Sequence, residues 1–420
     1  MKILLKQILI NDKYSVYHNQ TKDIYIEEGV IQKIDAEINL DNVTILDSCD
    51  TIVSTGWIDI FSDFCEPGLE HRETLESGAA AAAAGGFTQV FVLPNTNPTL
   101  STQSQINYIV EKSKQLPVTI HPVGAISKKV EGNELAEMYD MHHAGAIAFS
   151  DGTHALQSAN LFLKALLYVK SFDGIIIQMP VDNGFSKLGL MNEGIISTQL
   201  GLPGIPAFAE TLMIKRDIEL LKYTQSKLHI TGVSTAESIA LITEAKQQGL
   251  QITCSVTPHH IMFCDEDLTT YDTNLKLNPP LRSRADMMAL RKAIIDGKID
   301  CIASHHFPQH TDDKVCEFEY AKYGMIGLQS VFTSINTIIP ELTTDNLVDL
   351  LCNNAARIFN LPSSKIEVGA TANLTLFSKK GTTSLTKENN KSKSFNSAIF
   401  NQQQSGKVIG IIAKGRLILN

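Results

Sequence analysis

The chain has 420 residues, 43% of them hydrophobic and 19% charged, and a formal net charge of −9. That composition supplies a sizeable core and excludes a disordered chain. The acidic balance argues against a nucleic-acid or anionic-membrane partner, since either needs a basic face. The length suits one large barrel plus a smaller module.

Seven cysteines (Cys49, Cys65, Cys254, Cys264, Cys301, Cys316 and Cys352) form an odd set with no C-x-x-C spacing. Free thiols in a reducing cytosol are expected, not a disulfide framework. The opening run Met1–Ile10 is too short and too interrupted for the apolar region of a signal peptide. No run of about 18 apolar residues is present, so no transmembrane helix is expected. The expectation is a soluble, cytoplasmic protein.

In chain order, residues 1–53 alternate β-rich runs (2–10, 23–28, 30–34, 42–47) with turns at Asn11-Asp12 and Gly29. From 57 onward strands alternate with helical stretches, the pattern of βα units and a parallel sheet. Gly56 to Ile60 reads as a short buried strand running into the polar loop closed by Glu66-Pro67-Gly68. A helix over 72–84 carries six consecutive alanines and ends at Gly85-Gly86, which predicts close packing against a sheet. Further strands are predicted at 87–93, 118–123, 146–149, 174–179, 227–231, 251–256 and 300–303. Amphipathic helices fall at 134–143, 235–248, 284–295 and 345–359. Residues 366–377 and 407–419 return to a β pattern around a polar Lys/Ser/Asn/Gln stretch, 379–406, expected to be a long exposed and partly mobile loop. The expected architecture is an α/β fold: a (β/α)8 TIM barrel over 54–360 beside a composite β-sandwich built from 1–53 and 361–420.

The segment Gly56-Trp57-Ile58-Asp59-Ile60-Phe61-Ser62-Asp63-Phe64-Cys65-Glu66-Pro67-Gly68 resembles the signature that opens the barrel of dihydroorotases, Gly-x-x-Asp-x-His-x-His-x-Arg-Glu-Pro-Gly. Later segments resemble the same family in order: Leu93–Pro98, Phe149-Ser150-Asp151, His229–Thr235, Val256–His260, Leu277–Arg282, Ile302–Pro308 and Gly324–Leu328. The resemblance implies the amidohydrolase superfamily, pyrimidine biosynthesis, and a site where two divalent metals share a hydroxide that attacks a cyclic amide.

Carried across residue by residue, the resemblance places the family's six metal-binding or catalytic positions at Phe61, Asp63, Asp151, Gln178, Gly232 and His305. Only Asp151 keeps the family's residue. Phenylalanine and glycine carry no side-chain donor, and a carboxamide is a weak zinc ligand, so a two-metal centre is not expected. His305 stands at the catalytic aspartate position and lacks a carboxylate that both holds metal and shuttles a proton. On the substrate side Asn95 and Asn278 match family residues that contact dihydroorotate. The family's arginine is replaced by Cys65 and its last contacting histidine by Gln309, with His310 adjacent. Losing the guanidinium removes charge-assisted hydrogen bonds of about 1.5–3 kcal/mol each.

The resulting expectation is a catalytically inactive, dihydroorotase-like protein that needs no cofactor. It would act as a non-catalytic partner of aspartate carbamoyltransferase, in a homo- or hetero-oligomer. The alternative is an active dihydroorotase or other cyclic amidohydrolase using one zinc on Asp63, Asp151 and His305. A small-molecule sensor using the old pocket is a third reading. Asp59 is expected to be structural, Cys65 a packed thiol and His229 hydrogen-bonded within the barrel. His71, His154, His259, His260, His306 and His310 are expected to be turn or surface histidines.

Overall fold

The structure, a computed structural model, describes residues 1–47, 50–362 and 364–420. Eight parallel strands form the barrel: β1 (Trp57–Ser62), β2 (Phe87–Val92), β3 (Thr119–Gly124), β4 (Ala148–Phe149), β5 (Ile175–Gln178), β6 (Lys227–Ile230), β7 (Ile252–Val256) and β8 (Cys301–Ile302). Neighbours in sequence are neighbours in the sheet, as short right-handed crossovers require. A parallel bridge between Ser62 and His306 closes the ring. Every residue of β1 is buried, the continuous apolar run expected of a strand covered on both faces.

Asp59 clamps this closure. Its carboxylate accepts the Ser304 amide at 2.7 Å, the Ser304 hydroxyl at 2.9 Å and the Ser62 hydroxyl at 2.5 Å, tying β1 to the segment after β8. The alanine-rich helix α1 (Leu75–Ala84) starts at a capping box between Thr74 and Ser77. Its small residues bury against the sheet as the sequence suggests. Gly85 is required by close approach, because a Cβ there would sit 2.2 Å from the Leu328 carbonyl oxygen.

The two chain ends build a second, mixed sheet. Its strand order runs 416–419, 403–413, 374–384, 52–55, 2–10, 21–27, 30–35, with Thr44–Asp47 pairing with Lys2–Ile10. Ile52–Thr55 lies between the chain ends, parallel to Lys2–Ile10 and antiparallel to Leu374–Ser384. The sheet is continuous in its strand order. It curls over its own aliphatic core until Ala372 N–H reaches the Gly29 carbonyl at 2.7 Å. Trp57, fully buried, packs on Phe87, Phe332 and Phe377 at the seam between the sheet and the barrel.

The expectation of an exposed loop at 379–406 is overturned. Residues 379–384 and 403–406 extend the flanking strands, and the intervening segment lies against the barrel mouth with Ser392, Ser394, Asn396, Ser397 and Ile399 buried. Asn396 donates to the carbonyls of Phe307 (2.9 Å) and Gly324 (3.1 Å) and accepts from Gln309 N–H (3.0 Å). Polar composition signals exposure only when the polar groups lack partners inside the fold. Here they meet backbone groups that only the barrel loops present. The last barrel helix also departs from expectation, breaking into Thr344–Val348, a π-turn at Asp349–Asn353, and Asn354–Ile358. No helix among the described residues is long and apolar enough to cross a membrane. Six cysteines are free thiols, while Cys49 lies outside the described residues.

Candidate functional site

The loops after the barrel strands enclose a cavity of about 450 Å³. Asp63, Arg72, Asn95, His259, Asn278 and His305 are among its lining residues. Its position, at the carboxyl ends of the strands, is where parallel barrels carry their sites.

Phe61, fully buried on β1, lies against the ring of His305 with centroids 4.6 Å apart and planes inclined by 32°. Phe307 meets the same imidazole edge-on at 5.5 Å. His305 adopts φ +43°, a left-handed conformation uncommon outside glycine. Its Nε2 lies 2.9 Å from Thr231 Oγ1. Gly232, at φ +70°, leaves the space the ring occupies. A Cβ there would stand 2.7 Å from His305 Cε1. Phe61 and Gly232, two of the positions where the resemblance implies metal donors, thus form one interlock around the His305 imidazole. Burial, reinforced by the neighbouring His260, His259 and His229, holds His305 well below the usual histidine pKa, so its ring is neutral.

The remaining positions are also engaged elsewhere. Asp151 accepts the Ile126 and Ser127 amides at 2.9 Å each and the Ser127 hydroxyl at 2.5 Å, which ties its carboxylate to the loop after β3. Burial pushes its pKa up to about 6, against the pull of those hydrogen bonds. Gln178 bonds weakly to Asp217 and to the Leu156 amide, each at 3.4 Å. Asp63 accepts the Cys65 amide at 2.8 Å and approaches Arg72 at 3.4 Å. Burial raises its pKa even so, outweighing the guanidinium.

The trio expected for a rearranged zinc site is therefore not brought together. Among the described residues no three His, Cys, Asp or Glu side chains converge as a ligand set. A two-metal hydrolytic centre does not fit these residues, because donors are missing at Phe61 and Gly232 and His305 fills the space between them. Asn95 and Asn278 both line the cavity. Asn95 is largely spent on the 151–154 loop, accepting the Thr153 amide at 3.1 Å and donating to the Asp151 carbonyl at 3.2 Å.

Three of the six histidines assigned to turns or surface are misplaced by that reading. His71, His154 and His310 are exposed, whereas His259, His260 and His306 are buried. His260 bonds Thr257 Oγ1 and the Pro279 carbonyl at 2.7 and 2.9 Å, while neither ring nitrogen of His259 has a partner. His229 does bond within the barrel, to Thr253 and Ser255, and Cys65 is a buried thiol whose pKa burial pushes up. Arg72, the cation of the cavity, was not singled out by the sequence. Nothing in its spacing shows that it turns inward to donate to the Pro308 carbonyl at 2.9 Å.

A buried acidic cluster supports the mouth. Glu73 accepts from His306 Nε2 at 3.2 Å, the Lys393 amide at 3.0 Å, and the hydroxyls of Ser77 and Ser392. Burial alone would raise its pKa, but the bonds from His306, Ser392 and Ser77 prevail and lower it. Glu73→Gln would turn a donor toward groups that themselves donate. An expected loss of about 2–4 kcal/mol follows. Denaturant unfolding checks it, and a loss below about 0.5 kcal/mol would refute the cluster's structural role.

Comparison with known proteins is consistent with this geometry. A family model described as dihydro-orotase-like matches residues 50–238. The chain is 38% identical to the dihydroorotase of Syntrophus aciditrophicus, covering 100% of this chain and 99% of that protein. The chain belongs to the dihydroorotase family. It is also 37% identical to the dihydroorotase of Caldanaerobacter subterraneus subsp. tengcongensis, over 99% of this chain and 97% of that one. Among solved structures, the L-hydantoinase (dihydropyrimidinase) from Arthrobacter aurescens shares the fold, with a TM-score of 0.86 at 20% identity over 100% of this chain and 96% of that one. Membership in the dihydroorotase family sets the interlock of Phe61, Gly232 and His305 within a scaffold shared along the whole chain.

Proposed function

We propose that this dihydroorotase-family protein belongs to pyrimidine biosynthesis in the cytoplasm but does not itself hydrolyse a ring through metal ions. It serves as a non-catalytic partner of aspartate carbamoyltransferase. The observation that carries the reading is the packing of Phe61 and His305 through the space left by Gly232. A hydroxide shared between two cations needs that volume and three or more donors per ion. Maintenance of the whole barrel around a disabled centre favours a role for its surface in assembly.

The test combines purification and assay. Tagged protein is expected to bring down the transcarbamoylase, or to alter its assembly, and to show no stoichiometric zinc and no ring opening of dihydroorotate. Failure to engage the transcarbamoylase removes the partner role. Stoichiometric zinc abolished by Asp151→Ala and His305→Ala, together with ring opening, establishes the active-enzyme alternative instead.

A further inference from the structure

Between β5 and β6 the chain carries more than the single crossover helix a barrel requires. A one-turn helix, Asn183–Ser186, leads into a two-stranded parallel ribbon, Met191–Asn192 beside Gly204–Ile205. A helix over Ile195–Leu200 lies between the ribbon strands, and the long helix Phe208–Thr224 follows them. The ribbon is tightly built. A Cβ on Gly204 would stand 2.5 Å from Glu193 Cα, and one on Gly189 would stand 2.2 Å from Ile205 Cγ1. Its inner side is anchored by the buried Arg282 guanidinium, which donates to the Asn192 side-chain oxygen at 3.1 Å and to the Ile205 carbonyl at 2.9 Å.

The outer side is apolar and open to water. Leu188 is 82% exposed, Ile195 77%, Phe208 50%, Phe185 48% and Leu212 45%. These side chains are neighbours. The Phe185 and Phe208 rings meet edge-on at 4.8 Å, and Leu212 lies one turn beyond Phe208 on the same helix. Ile195 and Phe208 each stand three residues past the paired Asn192 and Ile205, and Leu188 adjoins Gly189, which abuts Ile205. Together they leave roughly 600 Å² of apolar surface in water, most of the about 800 Å² that each partner buries in a standard interface. Two charges frame this face. Lys187 precedes the first ribbon strand and Glu193 follows it, both exposed. Among the described residues neither side chain has an ion-pair or hydrogen-bond partner.

We infer that a second copy of this chain docks on the 183–212 face, forming a two-fold dimer beside the barrel mouth. Under a two-fold axis, residue i of one copy meets residue j of the other, and j meets i. A face with one unpaired cation and one unpaired anion around an apolar centre is therefore complementary to itself. Lys187 of each copy meets Glu193 of the other, while Phe185, Leu188 and Phe208 bury against their counterparts. A partner of another kind would have to match both charges at their separation, whereas the two-fold supplies the match with nothing added. The net charge of −9 on each copy opposes association, so the uncharged centre and the two ion pairs must supply the attraction. Asn183 also lines the cavity, which sets the seam along its opening.

Sedimentation of the full-length protein between about 10 nM and about 10 μM makes the test. It is expected to show a monomer–dimer equilibrium that ends at twice the 46.1 kDa chain mass. Leu188→Glu, on a side chain that lies mostly in water, should leave the circular dichroism unchanged and weaken the dimer at least about a hundredfold. Lys187→Glu sets like charges against each other twice and should weaken the dimer about tenfold, as should Glu193→Lys. Combining the two reversals should restore the wild-type dimer. A chain still monomeric at about 10 μM, a dimer that survives Leu188→Glu, or a double reversal no stronger than the single ones each overturns the inference. So does a monomer whose capture of the transcarbamoylase is lost in Leu188→Glu, which would give the face to that enzyme. Sedimentation is read on the pure protein, so this proposal and the preceding one fail separately.

Discussion

Acidification from pH 7 to pH 5 is expected to lower the stability of the fold by several kcal/mol. Five histidines set the sign. Burial lowers His229 and His259 to about 3, His121 and His260 to about 4 and His305 well below the ordinary value of 6.5. Between those folded values and 6.5 the unfolded chain binds protons that the folded chain refuses. Their contribution is therefore complete above pH 6.5 and declines as the pH falls, by about 8 kcal/mol at pH 5 for His121, His229, His259 and His260, with His305 acting in the same direction.

Asp151 and Asp217 act in the opposite direction. Burial raises each to about 6, above the ordinary 3.8, so the folded chain takes up their protons first and gains stability as pH drops. These two offset about 3 kcal/mol over the same interval, and Asp59 and Asp63, which burial also raises, act in the same direction. Urea midpoints measured across pH 5–8 check the balance. A profile that is flat, or that rises toward pH 5, would show that these imidazoles are not sealed as described.

Gly232→His, which installs the residue that the resemblance implies for this position, is expected to destabilise the protein by about 3 kcal/mol. The new Cβ would stand 2.7 Å from His305 Cε1 and 3.3 Å from Pro279 Cδ, on a backbone at φ +70°. Overpacking and a left-handed conformation both oppose the substitution. Removing the ring with His305→Ala should relieve the overlap, so the double variant should lose less than the sum of the single losses. A coupling of about 1–2 kcal/mol is expected from the four-protein cycle, and additive losses would sink the interlock.

The barrel was legible because its signals are local and repeated. Apolar β runs alternate with capped helices, and the helix predicted at 284–295 spans Arg284–Ile295 in the structure. The absence of side-chain donors at Phe61 and Gly232 is equally a property of residue type and is read directly from the sequence. What occupies the space instead was not legible. That Gly232 and Phe61 make room for and cover one imidazole depends on β1, β6 and β8 meeting at the mouth, a contact between residues more than 70 positions apart. Arg72 and His259 turn inward for tertiary reasons of the same kind. The 379–406 stretch misled because its serines and asparagines bond to barrel carbonyls and to Glu73, and no composition rule distinguishes those partners from water.

The Ser392–Asn396 strap has a consequence for how the molecule can be divided. It connects two strands of the sheet made by the chain ends, and it completes the rim of the barrel by capping Glu73 and the carbonyls of Phe307 and Gly324. A barrel excised at residue 360 would surrender those ties and leave the Glu73 carboxylate with His306 and Ser77 but without Ser392 and the Lys393 amide. The two lobes are thus halves of a single cooperative unit, to be expressed, truncated or transplanted together or not at all.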